Sequence, residues 1–170
     1  MTIRLAMATL ALLSSSAALA GVTATAEIRS ADGAARGTAK AHKARDGIEI
    51  NATITGLVPG TYAIHVHPIG KCEGPDFASA GTHWNPLGHQ HGTENPNGAH
   101  MGDLPNVTVK ANGVGHISGH LKDASMQGGT NPLLDADGSS ILLHAHADDY
   151  TSQPSGGSGP KIACGVFVAK

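Results

Sequence analysis

Between Val22 and Arg29 the chain alternates: Val22, Ala24, Ala26 and Ile28 share one face, and Thr23, Thr25, Glu27 and Arg29 the other. A period of two is the spacing of a strand buried on one side. Turn residues follow at Ala31-Asp32-Gly33, and a weaker strand is predicted over Gly37 to His42. Asp46-Gly47 is a hairpin signal, after which Ile48, Ile50, Ala52 and Ile54 alternate again. Leu57-Val58-Pro59-Gly60 is a turn, and Thr61 to His67 is the next strand. Turns recurring at roughly ten-residue spacing predict a sandwich or barrel.

Residues 68–103 break this pattern, with Gly, Pro, Asn and His in no clear period. A loop of such length in a folded domain is usually a functional one. Strands resume at Val107-Thr108-Val109, around Val114 to Leu121, at Ser139 to His144 and at Cys164 to Ala169. Residues 122–138 are loop-like, and 145–163 form a second long loop of Gly, Ser and Pro. The pattern contains no internal repeat and no second domain. Neither long loop carries an apolar core of its own, so cross-links or metals must hold them.

Composition sharpens this picture at three points. The 170 residues suffice for one domain, and 23 glycines, 9 prolines and 3% aromatic residues suit short strands and loops, not a helix bundle. The net charge is −2, which excludes the basic footprint of a nucleic-acid binder. Eleven histidines are the unusual feature.

The N-terminus reads as a signal peptide over residues 1–20. Arg4 is the positive start, Leu5 to Leu13 a short apolar core, and Ala18-Leu19-Ala20 a small-residue cleavage signal. The apolar run falls short of the roughly 20 residues of a membrane span, so cleavage leaves no stable membrane insertion. Losing Arg4 leaves ten basic against thirteen acidic residues over 21–170, a net of −3. An exported protein with two cysteines, Cys72 and Cys164, suggests a disulfide closing a long loop. Two separate buried thiols are the alternative.

His65-Val66-His67 ends a predicted strand, and alternation places both imidazoles on one face as a half-site for copper or zinc. Alone such a pair is weak evidence. The first long loop adds His83, His91, His100 and Asp103, three nitrogens and a carboxylate suited to tetrahedral zinc. A metal there would order a loop without a core. His144 ends another strand and offers a fourth nitrogen for copper. His89 competes with His91, with only Gln90 between them. His42, His116 and His120 read as surface or strand histidines, and His146 as part of the second loop. Hydrolase and phosphate-loop signatures are absent.

With these residues in place, the chain resembles the copper/zinc superoxide dismutase family across residues 21–170. The resemblance is carried by Gly56-Leu57-Val58-Pro59-Gly60, His65-Val66-His67, Ser79-Ala80-Gly81-Thr82-His83-Trp84-Asn85-Pro86, His100-Met101-Gly102-Asp103-Leu104 and Ala163-Cys164-Gly165-Val166. The spacing H-x7-H-x8-H-x2-D over His83, His91, His100 and Asp103 is its most specific element, and it favours His91 over His89.

The resemblance implies an all-β, eight-stranded Greek-key β-barrel with two long functional loops. It implies copper ligands His65, His67, His83 and His144, and zinc ligands His83, His91, His100 and Asp103, with His83 bridging. Asp148 matches a carboxylate joining a copper-ligand histidine to a zinc-ligand histidine, and Cys72 and Cys164 match an intrasubunit disulfide.

The implied reaction disproportionates superoxide anion to dioxygen and hydrogen peroxide. Catalytic roles fall on His83, which can carry a proton, and on Lys161. Lys161 stands where the family has an arginine, so it keeps the charge that steers the anion but not the donor fork. The expected location is periplasmic or secreted, and a homodimer is compatible with the sequence. Two other readings are a copper-binding or copper-delivery protein of the same fold, and a zinc-stabilised domain without turnover.

Overall fold

The computed structural model describes residues 21–170; the signal peptide expected over residues 1–20 lies outside the described residues. Ten strand segments are present: β1 (Thr23–Arg29), β2 (Ala35–Lys43), β3 (Gly47–Thr55), β4 (Gly60–Tyr62), β5 (Ile64–His67), β6 (Val107–Val109), β7 (Val114–Lys122), β8 (Ser140–His144), β9 (Lys161–Val166) and β10 (Val168–Ala169). The described residues hold one helical element, a single 3₁₀ turn at Ala78–Ala80.

The ten segments form eight continuous runs, because β4 and β5 are one run broken at Ala63, and β9 and β10 one run broken at Phe167. Every pairing between named strands is antiparallel, in the order β5-β8-β9-β1-β2-β3-β7, with β10 on β1 and β4 on β6. The strand predicted over Thr61 to His67 thus changes partner midway, from β6 to β8. With β6 packed beside β7 through the Lys110–Val114 turn, the ring closes into a Greek-key barrel.

Alternation fills the interior as the sequence predicts. Ala24, Ala26 and Ile28 of β1 are buried, as are Ile48, Ile50, Ala52 and Ile54 of β3. Val22, expected on the same face, precedes β1 and is 39% exposed. Ile64 and Val66 of β5 and Ile141 and Leu143 of β8 belong to this core. Their alternate neighbours, His65, His67, Leu142 and His144, must therefore point outward. All four are nonetheless buried, because the two long loops fold over this wall. Leu142 packs there with Phe77, Ala80 and the Cys72–Cys164 disulfide in a second apolar cluster. The functional histidines lie between barrel wall and loops.

Candidate metal centre

The first loop is pinned to the free edge of β5. Val66 donates its N–H to Gly102 and accepts from Trp84, at 2.9 and 2.8 Å, and Gly102 donates to Trp84 at 2.9 Å. His83 and Asp103, one residue from each anchor, are thereby set beside β5, where Asp103 bridges to His65. Between the anchors the chain carries His91 and His100 back to the same point. His83, His91, His100 and Asp103 each present a ligand atom within 4.8 Å of the others. His65, His83 and His144 form a second such group, so His83 belongs to both. His67 lies just beyond it, its ring centre 5.2 Å from that of His83 and 6.0 Å from that of His144.

His89 and His91 have separate fates. His91 is fully buried in the cluster, while His89 is exposed and its Nδ1 bonds the Ala99 carbonyl. Asp148 is buried between two rings, accepting from His65 Nε2 at 2.8 Å and His91 Nε2 at 2.9 Å. A carboxylate bonded to the far nitrogen of a ring in this way fixes the tautomer of a metal-binding histidine.

The tautomers follow from these partners. His67 Nδ1 donates to the Gly81 carbonyl at 3.0 Å, and His144 Nδ1 to that of Gly159 at 3.1 Å. His65 donates through Nε2 to Asp148. Each ring then presents a lone pair on its other nitrogen. Those atoms, His65 Nδ1, His67 Nε2 and His144 Nε2, are buried without a hydrogen-bond partner, as is His83 Nε2. Four orphaned imidazole nitrogens, three on the barrel wall and one on the loop facing it, are a costly arrangement unless a cation receives them.

The second group has the same logic. Asp103 Oδ2 already accepts the backbone N–H groups of Gly92 and His100, at 2.9 and 3.0 Å. Its Oδ1 lies 2.9 Å from His83 Nδ1 and 3.4 Å from His100 Nδ1. His91 Nδ1 stands 3.0 Å from Oδ2 without forming a hydrogen bond to it. With His91 Nε2 engaged by Asp148, a neutral ring would set a nitrogen lone pair against a carboxylate, which a proton or metal must separate.

Charge is distributed accordingly. Burial pushes His65 down to about 4, His67 to about 2 and His144 to about 3, so these rings are neutral at neutral pH and each keeps a lone pair. Burial also acts against a proton on His91, but Asp103 and Asp148 outweigh it and raise the ring to about 9. Burial likewise opposes ionisation of both carboxylates, yet a bond from His83 and the close His91 ring hold Asp103, and bonds from His65 and His91 hold Asp148, well below the usual range.

A cleft of about 710 Å³ opens onto His67, His83 and His144, and Lys161 lies in its wall. Lys161 Nζ donates to the carbonyls of Gly81 and Phe77, at 2.8 and 3.2 Å. Burial lowers its pKa, which the nearby Asp76 partly offsets. Lys161 also opens β9, three residues before the strand start expected at Cys164.

A family model described as copper/zinc superoxide dismutase matches residues 32–167. The chain belongs to the copper/zinc superoxide dismutase family. It is 42% identical over 148 residues to a Cu-Zn superoxide dismutase of Caulobacter vibrioides, covering 85% of each chain. It is also 42% identical over 125 residues to the superoxide dismutase-like protein YojM of Bacillus subtilis, covering 72% of this chain and 64% of that one. The crystal structure of a dismutase-like protein from Bacillus subtilis superposes with a TM-score of 0.80 at 37% identity, over 85% of this chain and 97% of that one. The Cu/Zn superoxide dismutase of Brucella abortus superposes at 0.67 with 25% identity, over 85% and 98%. Family membership makes this chain an oxidoreductase of the superoxide dismutase type, and the two histidine groups suit the copper and zinc that the family name implies.

Several groups at the centre carry no signal in the sequence. Asn106 pairs through its side-chain amide with both the N–H and the C=O of Asp148, at 2.8 and 2.9 Å. Ser158 Oγ lies 3.2 Å from His144 Nδ1. The orienting carbonyls of Gly81 and Gly159 are backbone atoms, which residue type does not encode.

Proposed function

We propose that the chain disproportionates superoxide at copper held by His65, His67, His83 and His144. Zinc is held beside it by His83, His91, His100 and Asp103. The observation that carries this reading is the set of four buried, unpartnered imidazole nitrogens, with the opposite nitrogen fixed by a named acceptor in three of the rings. His83 supports a bridge between the metals, since Nδ1 lies with Asp103 and His100 while Nε2 is left free.

Copper supplies one-electron exchange with superoxide, and zinc supplies fixed charge without redox chemistry of its own. The chain's residues do the remainder. Lys161 draws the anion into the cleft, against a protein that is net negative. His83 Nε2 can hold a proton only while it is not given to copper, and in that state it passes the proton to the reduced anion. Two superoxide anions and two protons give one dioxygen and one hydrogen peroxide.

Export to a periplasm or the exterior fits the Cys72–Cys164 disulfide and the expected signal segment. The extracellular Cu-Zn superoxide dismutase of Onchocerca volvulus is among its relatives, at 35% identity over 127 residues.

The relative named only as dismutase-like keeps a second reading in view, a copper-binding protein with little turnover. Metal analysis of the purified protein combined with a superoxide-consumption assay separates the two. One copper and one zinc per chain with rapid consumption supports the dismutase. Bound copper with no consumption supports the carrier, and zinc alone excludes both.

A further inference from the structure

Gln153 sits on the exposed second loop, yet its side-chain amide is fully engaged. Its Oε1 accepts the backbone N–H of His91 at 2.8 Å. Its Nε2 donates to the backbone C=O of His91 at 2.9 Å and to the Thr151 carbonyl at 3.0 Å. The amide therefore pairs with both backbone groups of one residue, as a flanking strand would. His91 lies in a loop with no strand beside it, so its backbone needs such partners. Asp148, from the same second loop, holds the opposite end of His91 through the ring. Asn95 Nδ2 also donates to the His91 carbonyl, at 3.1 Å, so the N–H is the group that Gln153 alone holds, and ring and backbone attachments together fix the place and rotation of His91. The next residues, Pro154 and Ser155, line the cleft.

We infer that Gln153 is a positioning residue: it sets the backbone of His91 for metal binding and ties that position to the cleft wall at Pro154 and Ser155. The inference rests on reading His91 as a zinc ligand. Removing a partner one bond outside the ligand ring belongs at the low end of the 10–100-fold range for outer partners of metal ligands.

The test measures zinc affinity by chelator competition, and amide hydrogen exchange at His91, in the protein loaded with both metals. Gln153→Ala should weaken zinc about tenfold and speed exchange at His91. Gln153→Glu keeps the acceptor for the His91 N–H but turns a carboxylate oxygen toward two carbonyls. It should weaken zinc while His91 stays protected. His91→Ala is the reference. If it loses zinc and both Gln153 variants bind zinc like the wild type, the inference is overturned and the ligand reading stands. If His91→Ala binds zinc unchanged, the ligand reading fails and the inference with it.

Discussion

Lys161 Nζ and His67 Nδ1 donate to the same carbonyl oxygen, that of Gly81, at 2.8 and 3.0 Å. The oxygen that sets the His67 tautomer therefore also fixes the ammonium at the cleft wall. Two of three ammonium protons are used on Gly81 and Phe77, and one is left for an incoming anion. Lys161→Arg should keep or raise the superoxide rate, since the charge stays and donors are added. Lys161→Glu should lower it sharply. The wild-type rate should also fall with salt, as the Debye length shrinks from about 30 Å at 0.01 M to about 10 Å at 0.1 M. Rates across ionic strength, with copper content checked in each variant, decide this. Equal rates for wild type and Lys161→Glu at low salt would remove Lys161 from steering.

Asp148 accepts one N–H from His65 and one from His91, and so joins the two groups of candidate ligands. In Asp148→Asn one oxygen can still accept, but the other position becomes an NH₂ facing an N–H donor. Metal retention or activity should drop by about 10–100-fold. Metal content after dialysis and the superoxide rate are the measurements, and wild-type values for both would exclude Asp148 from orienting the centre.

Metal-free protein should show opposing pH effects from its rings. His65, His67 and His144 have folded pKa values of about 4, 2 and 3, below the ordinary 6.5. Their contribution is full above 6.5 and is lost as pH falls from there. His91, raised to about 9, contributes fully below 6.5 and loses its contribution as pH rises toward 9. Stability should therefore peak near pH 6.5 and fall more steeply on the acid side, where these three rings act together with His100, also lowered by burial. Thermal unfolding of chelator-treated protein from pH 4 to 9 reads this directly. A midpoint that climbs steadily from pH 6.5 to 9 would contradict the His91 assignment.

Much of the barrel is visible in the sequence because its strands bury one face, as Ala24, Ala26 and Ile28 do. The break at Ala63 is not, since Thr61 to His67 reads as one continuous strand and the change of partner from β6 to β8 leaves no mark on residue type. The candidate ligands are marked by residue type, and it takes the family's spacing to favour His91 over His89. The fold agrees, since His91 is the ring that meets Asp103 and Asp148. Gln153 and Asn106 are ordinary polar loop residues in sequence, and their roles exist only once the two loops touch.

Gly156 gives the sharpest test of how tightly those loops meet. Its φ is +64°, and a Cβ there would lie 1.8 Å from Asp148 Oδ1 and 2.7 Å from His91 Nε2. The hydrogen bond between those two atoms thus passes over a surface that only glycine leaves open. Gly156→Ala should push Asp148 off His91 and weaken zinc by at least about tenfold, as loss of an outer partner does. Backbone strain could mimic this effect, and Gly157 supplies the control. Its φ is +63°, almost the same, but its Cβ would meet only Asp149 Oδ2, at 3.8 Å. Gly157→Ala therefore carries the strain without the collision. Zinc affinity of both variants, measured beside their thermal unfolding midpoints, separates the two causes. A zinc defect confined to Gly156→Ala places it in the Asp148–His91 contact. Equal defects in both variants would assign it to the backbone and leave that contact without a demonstrated role.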